Sequence, residues 1–347
     1  MKIAFIINDI HTEKDNYTTI RLARRAIKME HEVALIGITD LIYEADESVS
    51  ALACKPGKRQ YDNDVDLLKS LQRQSKKLKR ISLSNYDVVL LRSDPADELL
   101  KRPWAPNSAL LFAQLLANQG VLVLNDPTHL TDASNKTYFQ TYPKTVRPKT
   151  EITCSAEEIK RAVNQFGGNA VIKPLQGSGG QGVFIINNDS KANLNQIIDA
   201  SIRDGYAIVQ EYLPAAAKGD LRLITLNGKP LQIDGVYACF HRYNDTGDGR
   251  SNISAGGKYE LVEPDEQALA IAEAVGPKLV RDGMYFAGLD IVGDKMMEIN
   301  VDTPGGINMA EDLTGKDFSG YIIADLERKV RLKKLYKQIS ISELSAV

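Results

Sequence analysis

The sequence predicts an α/β protein with an N-terminal parallel sheet, a central α/β unit and a C-terminal α+β part. Three observations predict it. Through residue 127, continuously apolar strand-like runs alternate with helical patterns, as a parallel sheet covered on both faces requires. In the middle, a glycine-rich loop stands between two β-rich runs rather than between a strand and a helix. Beyond residue 212, strands pair across tight turns instead of through crossover helices. The expected units are 1–127, 128–212 and 213–347.

Each element has its own signal. Residues 2–8 form an apolar run, followed by 16–30, where Ile20, Ala23, Ala26 and Ile27 recur at helical spacing. "EVALIGI" (32–38), "YDVVLLRS" (86–93) and "VLVLND" (121–126) read as further strands. Residues 107–120 read as a helix with Asn107 or Ser108 as cap and Gly120 as its stop. The polar stretch 43–80 interrupts the alternation and reads as a loop or insertion with some helix. A short helix is expected over 132–142. The central unit then runs helix 155–166, strand 169–173, glycine loop, strand 183–187, helix 190–204, strand 206–211. Asn227-Gly228 marks one hairpin within 221–238, and Gly293-Asp294 a second within 287–300. Helices are expected over 264–282 and about 317–336.

Composition narrows the function. The 347 residues carry a net charge of -2, which lacks the basic excess of a nucleic-acid binder. The basic run "RQSKKLKR" (73–80) reads as a solvated face. Three widely spaced cysteines, Cys54, Cys154 and Cys239, with no C-x-x-C, argue against a disulfide framework and for a reducing compartment. No stretch approaches the roughly 20 apolar residues of a membrane span. A soluble, cytoplasmic protein is expected.

"VIKPLQGSGGQGVFIINN" (171–188) contains Gly177, Gly179 and Gly182 in the G-x-G-x-x-G spacing. A dinucleotide turn needs a helix directly after it, to meet the pyrophosphate with its N-terminus. Here a strand follows, and there is no G-x-x-x-x-G-K-[ST], so the Rossmann and P-loop readings lose. A glycine hairpin can still close backbone N–H groups over phosphate. The plain alternative is a surface hairpin. Lys173, at the end of the apolar entry strand, favours an anionic ligand, and Lys136 is a second candidate cation. In "GLDIVGDKMMEIN", strand period places Glu298 and Asn300 on one face, with Asp290 able to lie opposite. Two carboxylates and an amide oxygen suit Mg²⁺ carrying nucleotide phosphates, with Mn²⁺ as a substitute. The four histidines have no ligand spacing, which argues against zinc. "VQEYLP" (209–214) ends a strand where backbone groups could read an adenine edge.

Together "ASNKTYF", "VIKPLQGSGGQGVFII", "VQEYLPAAAKGDLRL", "RSNISAGG", "GLDIVGDKMMEINVDTPGGI" and "VVLLRSDPAD" resemble, in order, the ATP-grasp ligases, and among them the bacterial glutathione synthetases. The resemblance implies the ATP-grasp fold and a homo-oligomer. It implies ligation of γ-glutamylcysteine and glycine with ATP and Mg²⁺ through an acyl phosphate. It places Lys136, Lys173 and the lid residues Gly177, Ser178, Gly179, Gly180 and Gly182 on the phosphates. Gln210, Glu211, Tyr212, Leu213 and Asp220 fall on the nucleotide, and Asp290, Glu298 and Asn300 on the metal. Lys173, Arg222 and Arg250 become catalytic residues. Arg92, Asn252, Gly256, Gly257, Asp302 and Thr303 become substrate contacts. One segment departs from the pattern: Asp302 replaces a hydroxyl residue, and Asn308 stands where an arginine is expected. Two other readings stay open: a sister ligase with another donor or acceptor, and a non-catalytic nucleotide-binding regulator.

Overall fold

The computed structural model describes all residues except 99–100, 134–135, 176–181, 188–192, 204, 245–256, 341–342 and 345–346. In chain order the N-terminal elements are β1 (Lys2–Ile7), α1 (Thr18–Lys28), β2 (Glu32–Gly37), β3 (Leu41–Tyr43), β4 (Val49–Ala53), α2 (Asp64–Gln74), β5 (Lys79–Ser82), β6 (Val88–Leu91), α3 (Ala105–Asn118), β7 (Leu122–Leu124) and α4 (Pro127–Asp132). The central elements are β8 (Thr150–Thr153), α5 (Ala156–Gln165), β9 (Ala170–Pro174), β10 (Phe184–Ile186), α6 (Leu194–Ile202) and β11 (Ala207–Glu211). The rest are β12 (Asp220–Leu226), β13 (Lys229–Pro230), β14 (Gln232–Ile233), β15 (Val236–Tyr237), β16 (Cys239–Tyr243), β17 (Lys258–Leu261), α7 (Glu266–Arg281), β18 (Phe286–Val292), β19 (Lys295–Asn300), α8 (Ile307–Thr314) and α9 (Phe318–Leu335).

The N-terminal sheet is parallel in the order β2-β1-β6-β7. Its strands are buried on both sides, with residue parity deciding the side. Ile3, Phe5 and Ile7 pack with Ile20, Ala23 and Ile27 of α1, whereas Ala4 and Ile6 belong to the cluster containing Ala109 and Ala113 of α3. The central unit is an antiparallel sheet, β10-β9-β11-β8, with α5 and α6 against it. Its core, built on Ile159, Ile172, Ile198 and Val209, is a cluster of its own. The C-terminal sheet runs β17-β16-β12-β18-β19, with β13 also paired to β12. Its residues share clusters with the N-terminal sheet: Leu223 and Leu289 join Ala4 and Ile6, and Ile224 and Phe286 join Ile3 and Phe5.

The turns follow the expected chemistry. Asn227 (φ 55) and Gly228 (φ 71) both adopt the left-handed conformations of a tight hairpin. A Cβ on Gly228 would lie 2.8 Å from the Gly276 carbonyl oxygen, so the glycine also admits α7. Four helix starts are capped by Asn63, Asp126, Asp265 and Asp317, which each accept from a first-turn N–H, whereas α3 begins at Ala105, ahead of the expected caps Asn107 and Ser108, and has no side-chain cap.

Three stretches differ from expectation. Residues 43–80 hold α2 and two strands of a three-stranded antiparallel sheet, β3-β4-β5. Strands of three to five residues carry too little apolar alternation to be read. The helix expected over 132–142 is instead α4, capped by Asp126 and ending at Asp132, followed by a 3-10 turn at Tyr138–Thr141. The glycine-marked segment 305–315 contains α8, entered at Gly306 (φ 114) and left at Gly315 (φ 69). Among the described residues no helix is long and apolar enough to cross a membrane.

Candidate active site

The acidic set is built by strand register. Asp290 on β18 lies directly opposite Glu298 on β19, and Gly288 opposite Asn300, with a bulge just past Asp290. On its other side Asp290 is opposite Arg222 of β12, while Asp220 of β12 is opposite Arg242 of β16. These cross-strand neighbours become ion pairs. Arg222 Nε donates to Asp290 Oδ1 at 2.5 Å and Nη2 to Oδ2 at 3.0 Å. Arg242 Nε and Nη2 donate to Asp220 at 2.7 and 2.8 Å, and Arg242 Nη2 also lies 3.0 Å from Asp290 Oδ2. All four side chains are buried. Burial pushes the Asp290 carboxyl up, but the two guanidiniums outweigh it and hold it below the ordinary range. Asp220 therefore orients Arg242. Arg242 is the site residue that the motifs missed; counting the register of "ACFHRY" against "DLRL" would have placed it.

The set accords with a divalent cation carried on phosphates. Asn300 Nδ2 lies 3.2 Å from Asp290 Oδ2, and the Glu298 side chain is 39% exposed, towards the cleft. All the ligand atoms on offer are hard oxygens. Among the described residues no three acidic, imidazole or thiol groups cluster to hold a metal alone. A metal arriving with its own anionic ligands fits this set of two carboxylates and one amide.

Two lysines face the acids across the same cleft. Lys136 Nζ is 3.6 Å from Glu298 Oε1, and Lys173 Nζ donates to the buried Gln210 Oε1 at 3.2 Å. Burial, with Lys136 nearby, lowers the Lys173 ammonium to about 8. A cation so placed, bonded to a neutral amide, is suited to an incoming phosphate. Gly182 (φ 69) closes the β9–β10 loop where a Cβ would sit 3.2 Å from Pro174 Cδ. Gly177, Ser178, Gly179 and Gly180 lie outside the described residues, as do Arg250, Asn252 and Gly256; Gly257 immediately precedes β17.

Glu211 stands apart from this cleft. Its Oε1 accepts from the Lys149 N–H at 2.8 Å, and with Tyr212 it lines a separate depression beside Phe166. Leu213 leads into the 3-10 turn Pro214–Lys218. On the opposite flank, Arg92 is bonded by Nε to Thr19 Oγ1 (3.2 Å) and by Nη2 to the Pro304 carbonyl (2.8 Å). Burial lowers its guanidinium to about 10. The loop carrying Asp302 and Thr303 is held by this bond, by Arg222 Nη1 on the Gly305 carbonyl (3.1 Å) and by Thr18 Oγ1 on the Gly306 N–H (3.1 Å). Burial and Asp94 raise the Asp302 carboxyl to about 7. Asp302 and Thr303 line the lysine cleft, and Asp302 also lines a small pocket with Arg92. Asn308 is buried, with Oδ1 unpartnered.

A cleft between two antiparallel sheets, with Lys173 on one, Lys136 on the connection after α4 and hard-oxygen ligands on the other sheet, defines the ATP-grasp class. Solved structures agree at the level of fold. D-cycloserine synthetase DcsG matches with a TM-score of 0.63 at 13% identity, over 94% of this chain and 99% of that one. A RimK-domain ATP-grasp protein from Sphaerobacter thermophilus gives 0.56 at 17% identity, over 94% and 99%. The family models of prokaryotic glutathione synthetase match as well, the N-terminal domain over residues 1–131 and the ATP-grasp domain over 135–315. The glutathione synthetase of Gloeobacter violaceus is 33% identical over 330 residues, covering 91% of this chain and 93% of its own. That of Synechococcus elongatus is 30% identical over 338 residues, covering 95% and 99%. The chain belongs to the prokaryotic glutathione synthetase family.

Proposed function

We propose that the chain joins γ-glutamylcysteine to glycine with ATP, releasing glutathione, ADP and phosphate. The observation that carries this reading is the lysine–carboxylate cleft: Lys136 and Lys173 opposite Asp290, Glu298 and Asn300, in a chain of this family. A carboxylate is a poor electrophile, and transfer of the γ-phosphoryl group to it gives an acyl phosphate that an amine can attack. That transfer needs fixed positive charge around the phosphoryl oxygens and exclusion of water, and no covalent enzyme nucleophile.

The chain supplies these. Lys136 and Lys173 hold phosphate oxygens. Asp290, Glu298 and Asn300 would hold Mg²⁺, or Mn²⁺ in its place, which would supply positive charge beside the phosphates. Arg222 and Arg242 are locked by Asp290 and Asp220 and so cannot swing away as charge develops. Arg250 is assigned to the transferring phosphoryl group, Asn252, Gly256 and Gly257 to the closing segment, and Gly177, Ser178, Gly179, Gly180 and Gly182 to the lid. Tyr212, Leu213 and Glu211 are assigned to the adenosine end, with Gln210 positioning Lys173. Arg92, Asp302 and Thr303 are assigned to the substrates. The protein is expected to work in the cytoplasm as a homo-oligomer, which light scattering of the purified chain tests.

Asp302 and Asn308 favour a second reading, a ligase of the same mechanism with another acceptor. ADP release with γ-glutamylcysteine and a panel of amino acids decides between them. Release with glycine and a product of glutathione's mass supports the first; release only with another amine moves the assignment to the second.

A further inference from the structure

Apolar clusters join the N-terminal and C-terminal sheets, and apolar contact has no direction. It buries the two sheets together without fixing how one sits along the other. The metal ligands and the loop of Asp302 and Thr303 need closer placement than that. Asn125 supplies direction at this seam. It directly follows β7, the last strand of the order β2-β1-β6-β7, and it is buried. Its amide makes three hydrogen bonds to main-chain groups of the C-terminal part. Nδ2 donates to the Phe286 carbonyl at 2.8 Å and to the Val301 carbonyl at 2.6 Å, and Oδ1 accepts from the Phe286 N–H at 2.8 Å. The next residue adds a fourth bond, from the Asp126 N–H to the Gly283 carbonyl at 3.0 Å.

These bonds fall at the open end of the hairpin that carries the metal set. The β18–β19 ladder ends with Gly288 opposite Asn300. Phe286 is the first residue of β18, and Val301 directly follows Asn300. Beyond the last pair, the two strands are therefore joined through the Asn125 amide, which acts as one more rung. Asn300 occupies the terminal pair, so of the three oxygen ligands it depends most on that rung. Asp302 and Thr303 follow Val301 and line the lysine cleft, so the same bond sets where their loop departs. The chemistry is particular to asparagine: a primary amide offers two donors and an acceptor in one plane. A carboxylate would turn an acceptor towards two carbonyl oxygens, and an apolar side chain would leave buried groups unpaired.

We propose that Asn125 is a positioning residue of the ligation: by tying Val301 to Phe286 it holds Asn300 in the metal set and aims the Asp302–Thr303 loop from the same point. The assignment rests on the ligase reading above. Asn125 acts through the main chain on both sides of the reaction, the metal that accompanies the phosphates and the loop assigned to the substrates. Phosphoryl transfer requires attacking and leaving oxygens roughly in line, and a small misplacement of either side is costly. One amide that fixes both sides sets their relative position.

The test uses Asn125→Asp, which keeps the shape and replaces the donor by an oxygen, in the full chain. Mn²⁺ binding in the presence of ADP, read from the electron paramagnetic resonance signal of free Mn²⁺, should weaken by roughly 10-fold. With Mg-ATP, γ-glutamylcysteine and glycine, kcat should fall by roughly 10- to 100-fold. ADP release should also exceed glutathione formation, because a misplaced acyl phosphate is left to water, whereas the unmodified protein should give one ADP per glutathione. Should Asn125→Asp not fold, Asn125→Ser, uncharged and shorter, is held to the same readings. A folded variant with unchanged Mn²⁺ affinity and one ADP per glutathione overturns the proposal, whatever its melting temperature. Failure of both variants to fold overturns it too, since Asn125 would then serve the fold rather than the site. No turnover by the unmodified protein removes the ligase reading, and the Mn²⁺ comparison still decides whether Asn125 holds the metal set.

Discussion

Two neighbouring parts of the site treat buried charge in opposite ways. At the phosphate end, Asp290 and Asp220 are saturated by two guanidiniums placed directly opposite them in the sheet. At the donor end, Glu13 and Arg92 sit within each other's field with an unpartnered atom each. A saturated network is rigid and costly to break. An unsaturated one is ready for a ligand but costs stability until the ligand arrives. Reacting phosphates need fixed geometry, whereas a substrate head needs an open partner.

The largest effect should come from breaking the saturated end. Asp290→Asn leaves two buried guanidiniums with one carboxylate between them and removes a metal ligand. Turnover should fall by at least ~100-fold, and stability by about 3–5 kcal/mol, read by steady-state kinetics and urea unfolding. Near-normal turnover would remove Asp290 from the site.

Gly219→Ala comes next. Gly219 (φ 105) precedes Asp220, and a Cβ there would lie 2.0 Å from the Arg242 carbonyl oxygen. Separation of β12 from β16 should cost roughly 2–4 kcal/mol and reduce kcat, with KM for the donor less affected. An unaltered melting curve would contradict the close approach.

The unsaturated end predicts a gain. The Glu13 carboxyl stands at about 7 in the folded chain against 4.5 ordinarily. The folded state thus binds more protons than the unfolded one between these values. The group's contribution is fully present below the lower value and is lost as pH rises through the upper one. At about pH 8, Glu13→Gln should be more stable than the unmodified chain by up to about 3 kcal/mol. A variant less stable at that pH would show Glu13 to be a structural partner of Arg92.

Lys173 titrates in the other direction. Its ammonium is lowered to about 8, and a bound phosphate favours the charged form. KM for ATP should be flat below that value and rise above it by up to about tenfold per pH unit, and Lys173→Arg should flatten the profile. The smallest effect should be that of Lys149→Ala, whose exposed Nζ is 3.7 Å from Glu211: below about 0.5 kcal/mol by thermal melting.

The phosphate end was legible because its signals are local. Glu298 and Asn300 are two apart on one strand, and Asp290 is one hairpin turn away, so strand period and a glycine turn bring them together. Lys173 stood out as a charge in an apolar run. Arg242 was not found because its role comes from register across β12 and β16, two strands separated in the sequence by β13, β14 and β15, and not from a local motif. The burial of Glu13 was not legible because nothing within "HTEKDNY" marks it as buried. That burial is a tertiary fact. The helix α8 was hidden in the same way by the glycines that bound it.

The measurement that tests the central claim most directly follows the oxygen atoms. γ-Glutamylcysteine labelled with ¹⁸O at both oxygens of its cysteinyl carboxylate is incubated with Mg-ATP, glycine and the protein, and both products are weighed by mass spectrometry. The account predicts glutathione retaining one ¹⁸O in the new amide and inorganic phosphate carrying the other. Unlabelled phosphate would contradict the acyl-phosphate route, and ADP released without glutathione would contradict the reaction itself.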